Sequence, residues 1–161
     1  MMKILILGDT HAQDDIFLRI LSVEKDYDVL LHTGDFEGSE LVYRELSDTP
    51  LYYVAGNNDF FTDAPYGRVI ELDGCRVFMT HGHMQDVDSG CEGVRAEALK
   101  RHAKIAIFGH THMPMAGYRG EVLLLNPGSL SGPRQAGRQY SYGILEIEGG
   151  KVTAYGIRYL P

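Results

Sequence analysis

Two histidine pairs stand in this chain, His81-Gly82-His83 and His110-Thr111-His112, each after an apolar run of β character. A lone histidine is ordinarily packed or solvated. Four of them in two such pairs would leave many ring nitrogens needing partners in one place. If protonated, they would also repel one another. A divalent cation removes both problems, because neutral imidazole is one of its common ligands. Oxygen donors recur in similar positions: Asp9-x-His11, Gly34-Asp35 and Gly56-Asn57-Asn58-Asp59. With Asn126-Pro127-Gly128-Ser129 these make six polar clusters, five of them at the end of an apolar run, and three of them hold five of the seven histidines. Histidine, aspartate and asparagine are a ligand set for divalent metals of borderline hardness.

Taken singly, most of these residues have plainer uses. Asp9 and His11, at i and i+2 of an extended segment, project to the same side, but an aspartate at a strand end also serves as a turn or cap. Asp35 is either a helix cap or a carboxylate whose two oxygens face two cations. The Gly56–Asp59 cluster is either a turn or a site of which Asn57 supplies a hard amide oxygen, with Asn58 and Asp59 supporting it or meeting substrate. His32 falls outside the spacing and is expected to pack nearby; His102 is expected on the surface.

The clusters must be positioned by strands. Lys3–Gly8 is a continuous apolar run, expected of a strand buried on both faces. Asp14–Lys25 follows with Ile16, Phe17, Ile20 and Leu21 at helical spacing. Tyr27–Leu31 and Leu51–Ala55 are further strands, separated by a helix over Ser39–Leu46 with Leu41, Val42 and Leu46 in its pattern and Ser39 as N-cap. Asp73-Gly74 joins Arg68–Leu72 to Cys75–Thr80 as a hairpin. Gly93–Ala103 reads as a helix with Val94, Ala98 and Leu99 on one face, and Lys104–Phe108 as a strand. Glu121–Leu125, Tyr140–Ile147 and Lys151–Tyr159 are β-like, the last two joined at Gly149-Gly150. The architecture expected is α/β, two sheets packed face to face with helices outside. In open α/β sheets the strands' carboxyl ends form the ligand rim, which is where the clusters fall.

A chain of 161 residues is most simply one domain over 1–161, long enough for a full core. Its net charge of −7 argues against a long nucleic acid or a membrane surface as partner. Cys75 and Cys91 form no CxxC and read as incidental thiols of a reducing compartment. The opening run is too short for a signal sequence, and the expected location is cytoplasmic.

The ordered series Asp9-x-His11, Gly34-Asp35, Gly56-Asn57-x-Asp59, His81-Gly-His83 and Gly109-His110-Thr-His112 resembles the calcineurin-like metallophosphoesterases. The short length, Asn126–Ser129 and Ser131-Gly132-Pro133-Arg134 are similar to the small YfcE-type phosphodiesterase branch. The resemblance implies the four-layer sandwich of that superfamily, two mixed β-sheets flanked by helices. It also implies a metal-dependent phosphodiesterase, acting on small phosphodiesters through a dinuclear centre and a metal-bridging hydroxide. Asp9, His11, Asp35 and His112 would hold one divalent ion; Asp35, Asn57, His81 and His110 would hold the other, Asp35 bridging. With no thiolate in the set, Mn, Ni, Fe, Co or Zn fits better than copper(I), and Mn is the expected metal.

One position departs from the pattern. Many relatives place a histidine after the Gly-Asn as general acid; here Asn58 stands there and cannot donate in that way. That disfavours a phosphomonoesterase and leaves diesters with good leaving groups. His83 is the candidate replacement donor or a supporting contact, and Arg134 a candidate for a phosphate oxygen. Phe60, Phe61 and Tyr66 either wall the pocket or pack elsewhere. The other alternative is a scaffold or binding protein on the same fold, as in the retromer subunit that resembles this family with altered metal motifs; here every proposed ligand position holds a competent residue. The expected partners are a small phosphodiester and a second copy in a dimer.

Overall fold

The computed structural model describes residues 1–161. Thirteen regular elements follow one another: β1 (Met2–Leu7), α1 (Asp14–Val23), β2 (Val29–His32), α2 (Glu40–Leu46), β3 (Leu51–Tyr53), β4 (Gly67–Leu72), β5 (Cys75–Thr80), α3 (Glu92–Lys100), β6 (Ile105–Ile107), β7 (Met115–Arg119), β8 (Val122–Asn126), β9 (Ser141–Glu148) and β10 (Lys151–Tyr159). Two 3-10 turns, His83–Gln85 and Val87–Ser89, lie between β5 and α3.

The strands form two five-stranded mixed sheets, in the orders β10-β9-β1-β2-β3 and β4-β5-β6-β8-β7. β1, β2 and β3 run parallel, as do β5, β6 and β8. The paired centres of these strands are largely apolar because both their faces are covered. In β1, Ile4 and Ile6 point between the sheets with Leu31, Met79, Ile107 and Leu125. Leu5 and Leu7, one residue out of phase, point to the other face and pack with Ile16, Phe17, Ile20 and Tyr43 of α1 and α2. On the far side, Val94 and Ala98 of α3 cover Phe78, Ala106 and Leu124. The result is the expected four layers, helix–sheet–sheet–helix.

The Asp73-Gly74 hairpin pairs Leu72 with Cys75, both turn residues having positive φ (44° and 83°), as a two-residue turn that matches strand twist requires. Its tip meets the Gly149-Gly150 turn of the other sheet: Asp73 accepts hydrogen bonds from both backbone N–H groups, at 2.9 and 2.8 Å.

Several local expectations are corrected. The helix expected to start at Gly93 starts at Glu92, and α1 stops at Val23. Ser39 precedes α2, but its side chain makes no capping hydrogen bond. In α2 only Tyr43 is buried, while Leu41, Val42 and Leu46 are exposed. Leu99 likewise turns outward, leaving Val94 and Ala98 as the buried face of α3. Strand β7 was not foreseen; it is an edge strand whose residues are half-buried or exposed. No helix is long and apolar enough to cross a membrane.

Candidate metal centre

The carboxyl ends of β1, β2, β5 and β6 bring six of the expected ligand residues to one place. Asp9 and His11 follow β1, Asp35 follows β2, His81 follows β5, and His110 and His112 follow β6. Asp9, Asp35 and His81 are fully or almost fully buried. Donor atoms of Asp9, His11 and His112, and those of Asp9, Asp35 and His81, lie within 4.8 Å of one another. Asp35 Oδ2 stands between the two sides, 3.4 Å from His81 Nε2 and 3.6 Å from His11 Nε2. His112 Nε2 is 3.3 Å from Asp9 Oδ1.

The outer nitrogen of each of the four histidines already has an acceptor. His11 Nδ1 lies 2.8 Å from Glu37 Oε1, His110 Nε2 3.0 Å from Asp88 Oδ2, His81 Nδ1 2.8 Å from the Thr33 carbonyl, and His112 Nδ1 2.7 Å from the Gly132 carbonyl. In the neutral form of each ring, those acceptors assign the proton to the outer nitrogen. The inner nitrogens of the neutral rings then hold lone pairs, and they face one another: His11 Nε2 with His112 Nε2 at 3.4 Å, and His81 Nε2 with His110 Nδ1 at 3.3 Å. Asp9 Oδ1 is buried among them without a hydrogen bond. Imidazole lone pairs converging on two carboxylates, one of whose oxygens is buried without a hydrogen bond, fit a cation. The donors are nitrogen and oxygen alone, the chemistry of a Mn-to-Zn site.

Without a cation, a proton is drawn to the same place, onto the inner nitrogen of His81. Burial pushes His81 down, but its hydrogen bond to Asp35 and the charges of Asp9 and Asp35 outweigh it and raise its pKa to about 9. Burial raises Asp35, yet the hydrogen bond and charge of His81 and two hydrogen bonds from Asn58 bring it well below the usual carboxylate range. The side chains draw positive charge to this point, where a proton and a metal ion compete.

Local backbone serves the same end. Asp9, His11, Asp35, His110 and His112 all have positive φ, between 43° and 73°. Aspartate and histidine enter that region more readily than most residues, but five such positions in one cluster are a concentration of strain of the kind found at functional sites. Gly56 is required for space: a Cβ there would lie 2.1 Å from Asp35 Oδ1. Asp59 accepts backbone N–H groups of Gly56, Asp35, Phe36 and Glu37 at 2.6–2.9 Å, tying the β2 loop to the β3 loop. Ser129 and Ser131 hydroxyls both donate to the Asp9 carbonyl at 2.8 Å. Asn126 Nδ2 donates to the Gly109 carbonyl and to Thr111 Oγ1. The Asn126–Ser129 cluster thus braces the loops of Asp9 and of His110–His112 rather than joining the cluster of donor atoms.

The remaining expected residues lie around this cluster. Asn57 is exposed on the β3 loop and makes no hydrogen bond with it. Asn58 donates to both oxygens of Asp35, from its backbone N–H and from Nδ2, each at 3.0 Å. His83 packs its ring against Tyr66, His81 and His110 at centroid distances of 5.8, 5.4 and 6.2 Å, and its Nδ1 is buried without a partner. Burial and the neighbouring His81 and His110 lower its pKa. The side chain of Arg134 is exposed, beside His112, to whose carbonyl its backbone N–H donates. His32 is buried away from the inner nitrogens and bonds to Thr10 Oγ1 and the Gly34 N–H. His102 is exposed. The sequence reading missed Glu37 and Asp88, which orient His11 and His110.

Residues 2–150 match the calcineurin-like phosphoesterase superfamily domain. The probable metallophosphoesterase YsnB of Bacillus subtilis is 31% identical over 153 residues, 94% of this chain and 88% of the relative. Phosphodiesterase YfcE of Escherichia coli is 41% identical over 83 residues, 52% of this chain and 40% of its own length. A solved Streptococcus pneumoniae TIGR4 protein, described as a predicted phosphoesterase, superimposes with a TM-score of 0.83 at 28% identity, covering 99% of this chain and 88% of that one. With the candidate ligand residues gathered on the rim that both sheets share, the chain belongs to the calcineurin-like phosphoesterase superfamily.

Proposed function

We propose that this protein is a metal-dependent phosphodiesterase that hydrolyses small phosphodiesters at a two-metal centre. The observation that carries the reading is the set of four imidazoles whose outer nitrogens are all occupied while their inner lone pairs converge on Asp9 and Asp35. Asp9, His11, Asp35 and His112 would hold one cation, and Asp35, Asn57, His81 and His110 the other. A pair of divalent ions, when bound, supplies Lewis acidity to a phosphoryl oxygen and lowers the pKa of water. Mn is the preferred ion, with Ni, Fe, Co and Zn compatible with the donors.

The chain's own residues then define the substrate. Asp35 takes the shared position, held by Asn58 on one side and lying between His81 and His11. Asn58 is committed to Asp35 and carries no transferable proton, so leaving groups that depart unprotonated are favoured. His83 is the nearby ring able to hold or pass a proton, and Arg134 the cation available to a phosphate oxygen. A complete set of competent donors favours an enzyme over a scaffold on the same fold.

The test is hydrolysis of bis(p-nitrophenyl) phosphate after EDTA treatment and after return of Mn²⁺. Activity is expected only with metal, and at least about a hundredfold above that on an alkyl monoester, which needs the missing general acid. Full activity after chelation, with no gain from Mn²⁺, overturns the proposal.

A further inference from the structure

Resting on the phosphodiesterase reading, we infer that Phe60 and Phe61 form a subsite for one ester group of the substrate, and that this group is a flat, uncharged aromatic ring. Just past the Gly56–Asp59 loop, the chain carries two adjacent phenyl rings into solvent: Phe60 is 71% exposed and Phe61 107%. Single exposed apolar residues need no explanation, but this pair carries a second cost. Phe61 has φ +57°, a conformation bulky side chains avoid. Strain and exposure coincide on one dipeptide beside the ligand residues, the mark of a segment shaped for a ligand.

The rings line a cavity of about 540 Å³ together with Glu37, Gly38 and Asn58. Two of these walls belong equally to the metal centre: Glu37 holds His11 at 2.8 Å, and Asn58 holds Asp35 at 3.0 Å. A group attached to a phosphorus at the centre is therefore within reach of the rings. No lysine or arginine lines this cavity, and its one charged residue is the acidic Glu37. A second phosphate or a carboxylate would meet a like charge and no counterion. What the walls offer is two phenyl faces, and aromatic rings bind those by offset or edge contacts.

The test is calorimetric binding of three non-hydrolysable phosphinates to the manganese-loaded protein: diphenyl-, dicyclohexyl- and dimethylphosphinate. Diphenylphosphinate is expected to bind about tenfold more tightly than the dicyclohexyl compound, the upper range of one aromatic pair, and more tightly still than the dimethyl compound. The F60A/F61A double variant is expected to bring the phenyl-to-cyclohexyl ratio near one, and F60Y/F61Y to retain it. Equal binding of the diphenyl and dicyclohexyl compounds, or a ratio unchanged in the double variant, overturns the subsite. Turnover of bis(p-nitrophenyl) phosphate by the same preparation tests the underlying reading separately. An active enzyme without the ring preference refutes the subsite alone. The ring preference in a protein that hydrolyses no diester supports the subsite and refutes the phosphodiesterase.

Discussion

Each inner nitrogen of the cluster is aimed by a contact on the far side of its ring, so the ligands and their supports make separate predictions. Asp35→Ala removes the carboxylate between His81 and His11, and His110→Ala removes one lone pair. Each is expected to lower diester turnover at least about a hundredfold while circular dichroism stays unchanged, since metals carry most of the charge stabilisation. Turnover within a few-fold of wild type in either variant would count against the two-metal site. Glu37→Gln and Asp88→Asn act one step out, weakening the acceptors of His11 Nδ1 and His110 Nε2. Losing such a partner ordinarily costs about 10–100-fold in metal affinity, measurable by competition with a chromogenic chelator. The residues that converge were legible in the sequence, because histidine pairs after apolar runs are rare. Glu37 and Asp88 were not: they are two among 22 acidic residues and carry no mark of spacing. Only the folded chain puts Asp88 against a histidine 22 residues further on.

At the scale of elements, Asp59 connects two strand ends by gathering four backbone N–H groups. Asp59→Ala would leave these donors buried without partners, at about 1–3 kcal/mol for each that finds no water. The expected result is a fall in Tm together with loss of metal binding, because the same loops present Asp35 and Glu37. Unaltered thermal unfolding would show that the loops hold without it. The parallel strands and the Asp73-Gly74 hairpin were legible because an apolar run and a turn dipeptide are local signals. Strand β7 was not, since Met115-Ala-Gly-Tyr-Arg119 lies at a sheet edge and has neither a continuous apolar run nor strict alternation. The outward face of α2 was misread for a related reason. Helical spacing identifies a stripe, but Tyr43, stacked on Phe17 with centroids 3.9 Å apart, is the residue that anchors the helix.

For the molecule as a whole, acid stability should follow His32. Burial lowers its pKa from 6.5 to about 4, against the opposing pull of Asp9 and Asp35. Below pH 6.5 the unfolded chain takes up a proton that the folded chain refuses until about pH 4. The stability from this group is complete above pH 6.5 and is lost as pH falls toward 4, by about 3 kcal/mol in total. Denaturant unfolding of His32→Asn, which does not titrate there, should show a shallower decline over that window. An identical slope would place the acid sensitivity elsewhere.

The two sheets contribute equal halves of the cluster: Asp9, His11 and Asp35 come from one, His81, His110 and His112 from the other. His11 and His112 meet although 101 positions separate them in the chain. A cation bound between them would be a stitch across the sandwich, closing a long loop in addition to the hydrophobic interior and the few hydrogen bonds that already join the two sheets. Metal loading should then slow amide hydrogen exchange at the ends of β1 and β6 together, two strands that share no backbone hydrogen bond. Slowing confined to one sheet would mean that the cation sits within that half and leaves the seam free to open.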